Sequence, residues 1–173
     1  MDVDEAARVR ALVELQVLDS AAEKAYDDLT RIAARICGTS MALVSLVDTD
    51  RQWFKSRVGM QATETPREFA FCSHAIQHPD ELMVVTDASM DARFADNPYV
   101  TGLPGIRFYA GAPLVTASGH AVGTLCVLDS SPRTLDDLQL DLLRFIAQQV
   151  IGELEATSAR LQRGQPPPHP SAA

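Results

Sequence analysis

Apolar residues recur along this chain at two different spacings, and the places where the spacing changes mark out its elements. In "EAARVRALVELQVLDS", Val9, Leu12, Val13, Gln16 and Val17 share one side of a helical wheel, which predicts an amphipathic N-terminal helix. "SAAE" (Ser20 to Glu23) reads as a capping box. It opens a second helix with a stripe of Tyr26, Leu29, Ile32, Ala33 and Ile36, and Gly38 ends it. The pattern then changes: the short, apolar, β-branched run "MALVSLV" (41–47), the turn residues "DTDR" and "QWFKSRV" predict a strand hairpin. "GIRFYAGAPLVT" and "HAVGTLCVLD", joined by "ASG" with Gly119 at the permissive turn position, predict a second hairpin. Thr134 and Asp137 are placed to cap a long final helix. Its stripe is Leu135, Leu138, Leu142, Phe145, Ile146, Val150 and Leu154.

Between the hairpins, from Gly59 to Gly105, the chain carries Pro66, Pro79, Pro98 and Pro104, and only "ELMVVTD" (81–87) reads as a strand. A stretch this long without regular structure is uncommon inside a domain unless it builds a site. The expected architecture is α+β: a central antiparallel sheet with helices at both ends of the chain and an irregular cover in the middle. The expected segments are 1–19 for the first helix, 20–157 for the domain, and 158–173 for the end of the last helix and a disordered Pro-rich tail, "GQPPPHPSAA".

Composition narrows the partners. With 15 basic and 23 acidic residues the net charge is −8, which repels nucleic-acid backbones and anionic lipid. No apolar run approaches a membrane span, and "MDVDEAARVR" lacks a signal-peptide core, so a cytoplasmic protein is expected. The 3 cysteines, Cys37, Cys72 and Cys126, show neither a C-x-x-C pair nor a disulfide framework. His74 and His78 stand one helical turn apart, but Pro79 disfavours helix at His78, and no metal site is expected.

Candidate chemistry collects around the middle segment. In the strand from Ile106, alternation puts Ile106, Phe108, Ala110, Ala112 and Leu114 on one face and Arg107, Tyr109, Gly111 and Pro113 on the other. The second face offers a guanidinium, a phenol and a glycine gap, as a covered polar pocket requires. A buried Arg107 must be paired, either with Asp87 or Asp91 or with an anionic ligand. "PREFAFCSHAIQHPD" (66–80) places Cys72 two positions before His74: a nucleophile with its base, or the lid of the pocket anchored by Phe69, Phe71, Cys72 and Ile76. Trp53 and Phe54 alternate across a strand, so one of them faces the core and the other the cavity or solvent. The candidate ligand-binding residues are Trp53, Phe71, Cys72, His74, Asp87, Arg107 and Tyr109. Arg93, Asp96 and Asn97 read as turn and cap residues.

"ALVSLVDTDRQWFKSRVGM", "ETPREFAFCSHAI", "VVTDASMDARFADNPYVTG", "IRFYAGAPL" and "GTLCVLD" resemble the GAF domain family. The resemblance runs from about Asp19 to Leu154 and is nearest to the branch found in bacterial sensor kinases and cyclic-dinucleotide signalling proteins. It implies a sheet of about six strands with the terminal helices on one face and a loop-covered small-molecule pocket on the other. It also implies homodimerisation through the terminal helices and regulation of a sensor kinase or cyclase partner. The N-K-x-(D/N)-F-x3-D-E pattern of cyclic-nucleotide binders is not found, and Cys72-Ser73-His74 lacks the adjacent Cys-His of bilin-attaching members. No kinase or cyclase module is recognisable in the chain, so the expectation is either output through a partner or a separate single-domain protein, and the ligand and any cofactor are unknown. Two other functions compete with sensing. One is a small redox enzyme like the free methionine sulfoxide reductases, using Cys72 but lacking an evident resolving thiol. The other is a purely structural dimerisation unit.

Overall fold

A computed structural model describes residues 4–164. Of the Pro-rich tail expected to be disordered, 164–173, all but Gly164 lies outside the described residues. The elements in chain order are α1 (Glu5–Glu14), α2 (Lys24–Cys37), β1 (Met41–Val47), β2 (Arg51–Val58), β3 (Glu64–Pro66), α3 (Phe71–Ala75), β4 (Met83–Val85), α4 (Pro98–Thr101), β5 (Phe108–Val115), β6 (Ala121–Asp129) and α5 (Asp137–Gln162).

The strands form one 6-stranded antiparallel sheet in the order β3-β2-β1-β6-β5-β4. β1 and β6 sit in the middle and are buried along their whole length. Their near-continuous apolar sequences follow, because a strand covered on both faces has no solvent side to mark with polar residues. Between Val44 and Ser45 the register with β2 shifts by one residue. Beside this bulge, Lys55 reaches Ser20, Ala21 and Glu23, and Ser56 reaches Asp27, both on the helix side.

Two apolar clusters occupy the two faces. One packs α1, α2 and α5 against the sheet through Leu12, Tyr26, Ala33, Val44, Leu46, Trp53, Phe108, Leu125, Leu143, Val150 and Leu154. The other lies under the middle segment and includes Leu43, Phe54, Phe71, Cys72, Phe94, Tyr109, Cys126 and Leu128.

Helix boundaries and registers differ from the expected ones. α1 stops at Glu14 because Gln16 and Asp19 adopt positive φ and turn the chain. Its buried side is Arg8, Ala11 and Leu12, while Val13 is exposed. Arg8 is fully buried, held by Glu5 at 2.8 Å. The capping box at Ser20 does not form. α2 begins at Lys24 after an uncapped Glu23, Ser20 instead donates to Val17 O, and Ile32 is exposed. In α5 the cap moves from Thr134 to Asp136, which forms a capping box with Gln139. Leu138 and Phe145 face outward there. These helices lean on the sheet along a narrower stripe than their apolar residues suggest, so the outermost members of each stripe are left uncovered by the other described residues. Gly38, in the left-handed conformation, ends α2 as expected.

Candidate functional site

A cavity of about 530 Å³ lies on the face of the sheet away from α1, α2 and α5. That volume is within the range of small-molecule sites. Its floor is Met41 and Leu43 of β1, Gln52 and Phe54 of β2, Tyr109 of β5, and Cys126 and Leu128 of β6; its roof includes Met60, Phe69, Phe71, Cys72, Tyr99 and Ile106. None of the described residues lining it is Asp, Glu, Lys, Arg or His. Among the polar groups, Gln52 is 7% exposed and donates through Nε2 to Thr65 Oγ1 at 3.1 Å, which leaves its Oε1 without a hydrogen-bond partner. An unmet buried carbonyl is costly, so this amide oxygen is where a donor entering the cavity would be favoured.

Short helices hold the roof. Helix α3 turns Phe71, Cys72 and Ala75 inward. Phe71 stacks on Phe94 at 4.2 Å and on Tyr109 at 5.3 Å between ring centroids. Asn97 caps α4 by accepting from Tyr99 N, and its amide donates to Phe69 O at 2.9 Å, which ties α4 to the approach of α3. The cap role expected of Asn97 is therefore the one it has.

At the inner end of the cavity, Cys72 Sγ lies 3.2 Å from Tyr109 Oη, 3.0 Å from Thr124 Oγ1 and 4.0 Å from Cys126 Sγ. Ser45, paired with Thr124 across β1 and β6, is fully buried, and its hydroxyl finds no well-formed hydrogen bond. The Tyr109 phenol lies across Gly111, where an added Cβ would stand 2.2 Å from Oη. The glycine gap read from the sequence thus makes room for the neighbouring tyrosine. Burial pushes the Cys72 thiol up, but hydrogen bonds from Cys126, Thr124 and Tyr109, with Ser45 adding a weaker contribution, outweigh it and bring the thiol to about 7. Burial and the neighbouring sulfur push Cys126 and Tyr109 well up.

Of the residues expected at a ligand site, Phe71, Cys72 and Tyr109 line this cavity, and Trp53, His74, Asp87 and Arg107 lie elsewhere. Trp53 is in the helix-side cluster and Phe54 takes the cavity side. His74 is exposed and packs edge-on against Phe94 at 4.9 Å, its basicity lowered by partial burial and by Arg93. Two residues along a helix are rotated by roughly 200°, so a residue two beyond an inward Cys72 must face outward. His74 is not a base for Cys72. Asp87 accepts from Ser89 as the cap of a short turn. Arg107 donates to Val100 O at 2.8 Å and Ile106 O at 3.1 Å, both backbone carbonyls, because Asp91 is taken by Arg93. Ile106, just ahead of β5, turns into the cavity rather than onto the helix side.

Sequence reasoning missed Gln52, Met60 and above all Cys126. Cys126 alternates with Leu125 and Val127 of the helix-side cluster, a period-two signal that could have placed it on the cavity face. Cys126 is also a second thiol within reach of Cys72, which the sequence reading had set aside.

The family model described as GAF domain matches residues 21–154. A protein of Pseudomonas aeruginosa named as a cyclic di-GMP phosphodiesterase is 40% identical over 152 residues, covering 87% of this chain and 26% of that protein. The chain therefore spans about a quarter of that relative's length. Among solved structures, the GAF domain of an Acinetobacter phosphoenolpyruvate-protein phosphotransferase aligns at a TM-score of 0.62 and 17% identity, over 92% of this chain and 97% of that one. The Thermoplasma acidophilum type II free methionine-R-sulfoxide reductase aligns at 0.61 and 10% identity, over 76% and 91%. At these identities the structures attest the fold alone. They share its open antiparallel sheet with flanking helices.

Proposed function

Because the chain belongs to the GAF domain family, we propose that it is a regulatory sensing domain whose cavity takes a neutral, largely apolar small molecule with a hydrogen-bond donor for Gln52. The observation that carries this reading is the lining itself: aromatic rings and thioethers, an unmet amide oxygen and, among the described residues, no ionisable carboxylate, amine, guanidinium or imidazole. A phosphate or carboxylate placed there would lose its hydration without a counter-charge, which costs several kcal/mol or more. We therefore read a cyclic dinucleotide as what a partner or attached output protein handles, by analogy with the Pseudomonas relative, and not as the occupant of this cavity.

Signal passage through a homodimer of the terminal helices is part of the same proposal. It is supported by exposed apolar side chains on α2 (Ile32) and α5 (Leu138, Phe145, Leu161). Sedimentation velocity at micromolar concentration should show a dimer that Phe145→Glu dissociates. No described helix is long and apolar enough to cross a membrane, and we read the protein as cytoplasmic.

The ligand reading is tested by fluorescence titration with N-phenyl-1-naphthylamine, a neutral apolar amine with one N–H, against its anionic analogue 8-anilinonaphthalene-1-sulfonate. The neutral probe should saturate one site and weaken in Gln52→Met. Preference for the anion, or no saturable binding of the neutral probe, would overturn the reading.

A further inference from the structure

The inner end of the cavity holds a polar cluster that binding a neutral ligand does not use. Ser45, Thr124 and Cys126 come from the paired central strands β1 and β6, Tyr109 folds in from β5, and Cys72 descends from α3. Both cysteines line the cavity, and the 4.0 Å between their sulfurs is a short move from the roughly 2.05 Å of a disulfide. Buried thiols with only structural duties are surrounded by hydrocarbon; here hydroxyls of Tyr109 and Thr124 converge on one sulfur. The third thiol, Cys37, is the contrast. It lies in the helix-side cluster, and burial pushes it up to about 11.

We propose that Cys72 and Cys126 form a two-electron thiol pair that reduces a small hydroperoxide entering the cavity. The Cys72 sulfur attacks one peroxide oxygen, an S–O bond forms as the O–O bond breaks, and the departing oxygen takes the proton that Cys72 gave up, leaving as an alcohol or water. The Cys126 sulfur then attacks the Cys72 sulfur. The S–S bond forms as the S–O bond breaks, and the hydroxyl leaves as water with the Cys126 proton. Two thiols and one hydroperoxide thus become a disulfide, an alcohol and water. Two equivalents of an external thiol return the pair to the reduced state. Tyr109 and Thr124 act as positioning residues that hold the Cys72 sulfur toward the open space. The disulfide would staple the roof helix α3 to the floor strand β6, altering the cavity that senses. This inference shares the cavity with the ligand reading but not its ligand, and its readout needs no probe bound.

The reduced full chain is exposed to one equivalent of hydrogen peroxide, and intact mass and non-reducing peptide maps are recorded. A loss of two hydrogens with a Cys72–Cys126 cross-linked peptide is expected. Cys126→Ser should instead accumulate a sulfenic acid at Cys72, trapped by dimedone, and Cys72→Ser should consume peroxide no faster than the buffer. Wild-type thiols left intact, a disulfide through Cys37, or undiminished peroxide consumption in Cys72→Ser would each overturn the proposal. The wild-type map alone decides it even if a variant fails to fold.

Discussion

The two faces of the sheet are built from the same strands and do opposite things. Toward α1, α2 and α5, the alternate residues Val44, Leu46, Phe108, Ala110, Leu125 and Val127 meet other side chains, and the clefts on that side, of about 180 and 300 Å³, lie at its margins and are lined by none of them. Toward the middle segment, the intervening residues Leu43, Ser45, Tyr109, Thr124, Cys126 and Leu128 meet a roof of short helices and loops that spans a cavity instead of filling it. Long helices present continuous stripes that can interdigitate with a sheet; short helices of a turn or so cannot, and what they fail to fill becomes a site. The difference shows that stability and chemistry have been assigned to different sides of one element.

The largest expected contrast is in thiol reactivity. Methyl methanethiosulfonate, small and neutral, should modify Cys72 faster than Cys37 by on the order of a hundredfold, since their thiols lie at about 7 and about 11. The Cys72 rate should rise with pH through about 7, as its thiolate forms. Equal rates, followed by peptide mapping, would erase the distinction between the faces.

Next is a pair of truncations. Leu125→Ala on the packed face should cost about 3–4 kcal/mol by urea denaturation, because it opens a new void. Leu128→Ala beside the existing cavity should cost about 1–2 kcal/mol, because its side chain already lacks neighbours on one side. Similar losses would mean the cavity closes in solution.

Gly111→Ala sharpens the comparison further. Its methyl group must displace the Tyr109 phenol, so a loss of about 2 kcal/mol is expected, together with an upward shift in the pH at which Cys72 reacts. Retention of the Cys72 pH profile would remove Tyr109 from the cluster.

Glu5→Gln strips the fully buried Arg8 of its carboxylate and should cost about 1–2 kcal/mol, discounted because Glu5 itself is partly exposed. Arg8 and Arg67 hold Glu5 down at about 2, against an ordinary 4.5. The carboxylate's contribution is therefore complete above pH 4.5 and is lost as pH falls toward 2; the variant should lack that acid limb.

The smallest effect belongs to His74. Partial burial and Arg93 hold its basicity below the ordinary 6.5, so the unfolded chain takes up the proton first and stability declines as pH falls below 6.5. His74→Gln should flatten this slope without altering Cys72 reactivity. A change in Cys72 would reinstate His74 as its base.

Much of the fold was legible because it rests on local periods. The alternation of β5 separated Phe108 and Ala110 from Tyr109, and the short apolar runs of β1 and β6 marked them as strands of two hairpins. The helix stripes were legible only in part. Val13, Ile32, Leu138 and Phe145 belong to the right periods but lie beyond the width that the sheet covers. At the site, Phe71, Cys72 and Tyr109 were found by local argument, whereas Trp53 and Phe54 could not be told apart until the bulge in β2 and the placement of α2 fixed which side was which. Arg107 was misjudged because any buried guanidinium needs acceptors, and backbone carbonyls of the loop before it served as well as a carboxylate.

By itself the sequence determined that the chain would make a two-faced antiparallel sheet, since side-chain direction follows from backbone period whatever else is nearby. Only the tertiary structure decided that Cys72 would meet Cys126, 54 positions away. That meeting depends on the strand order that puts β6 between β1 and β5, and on the angle at which α3 closes over it. Such long-range placement is set by how many weak contacts pack together, not by any residue's neighbours in the chain.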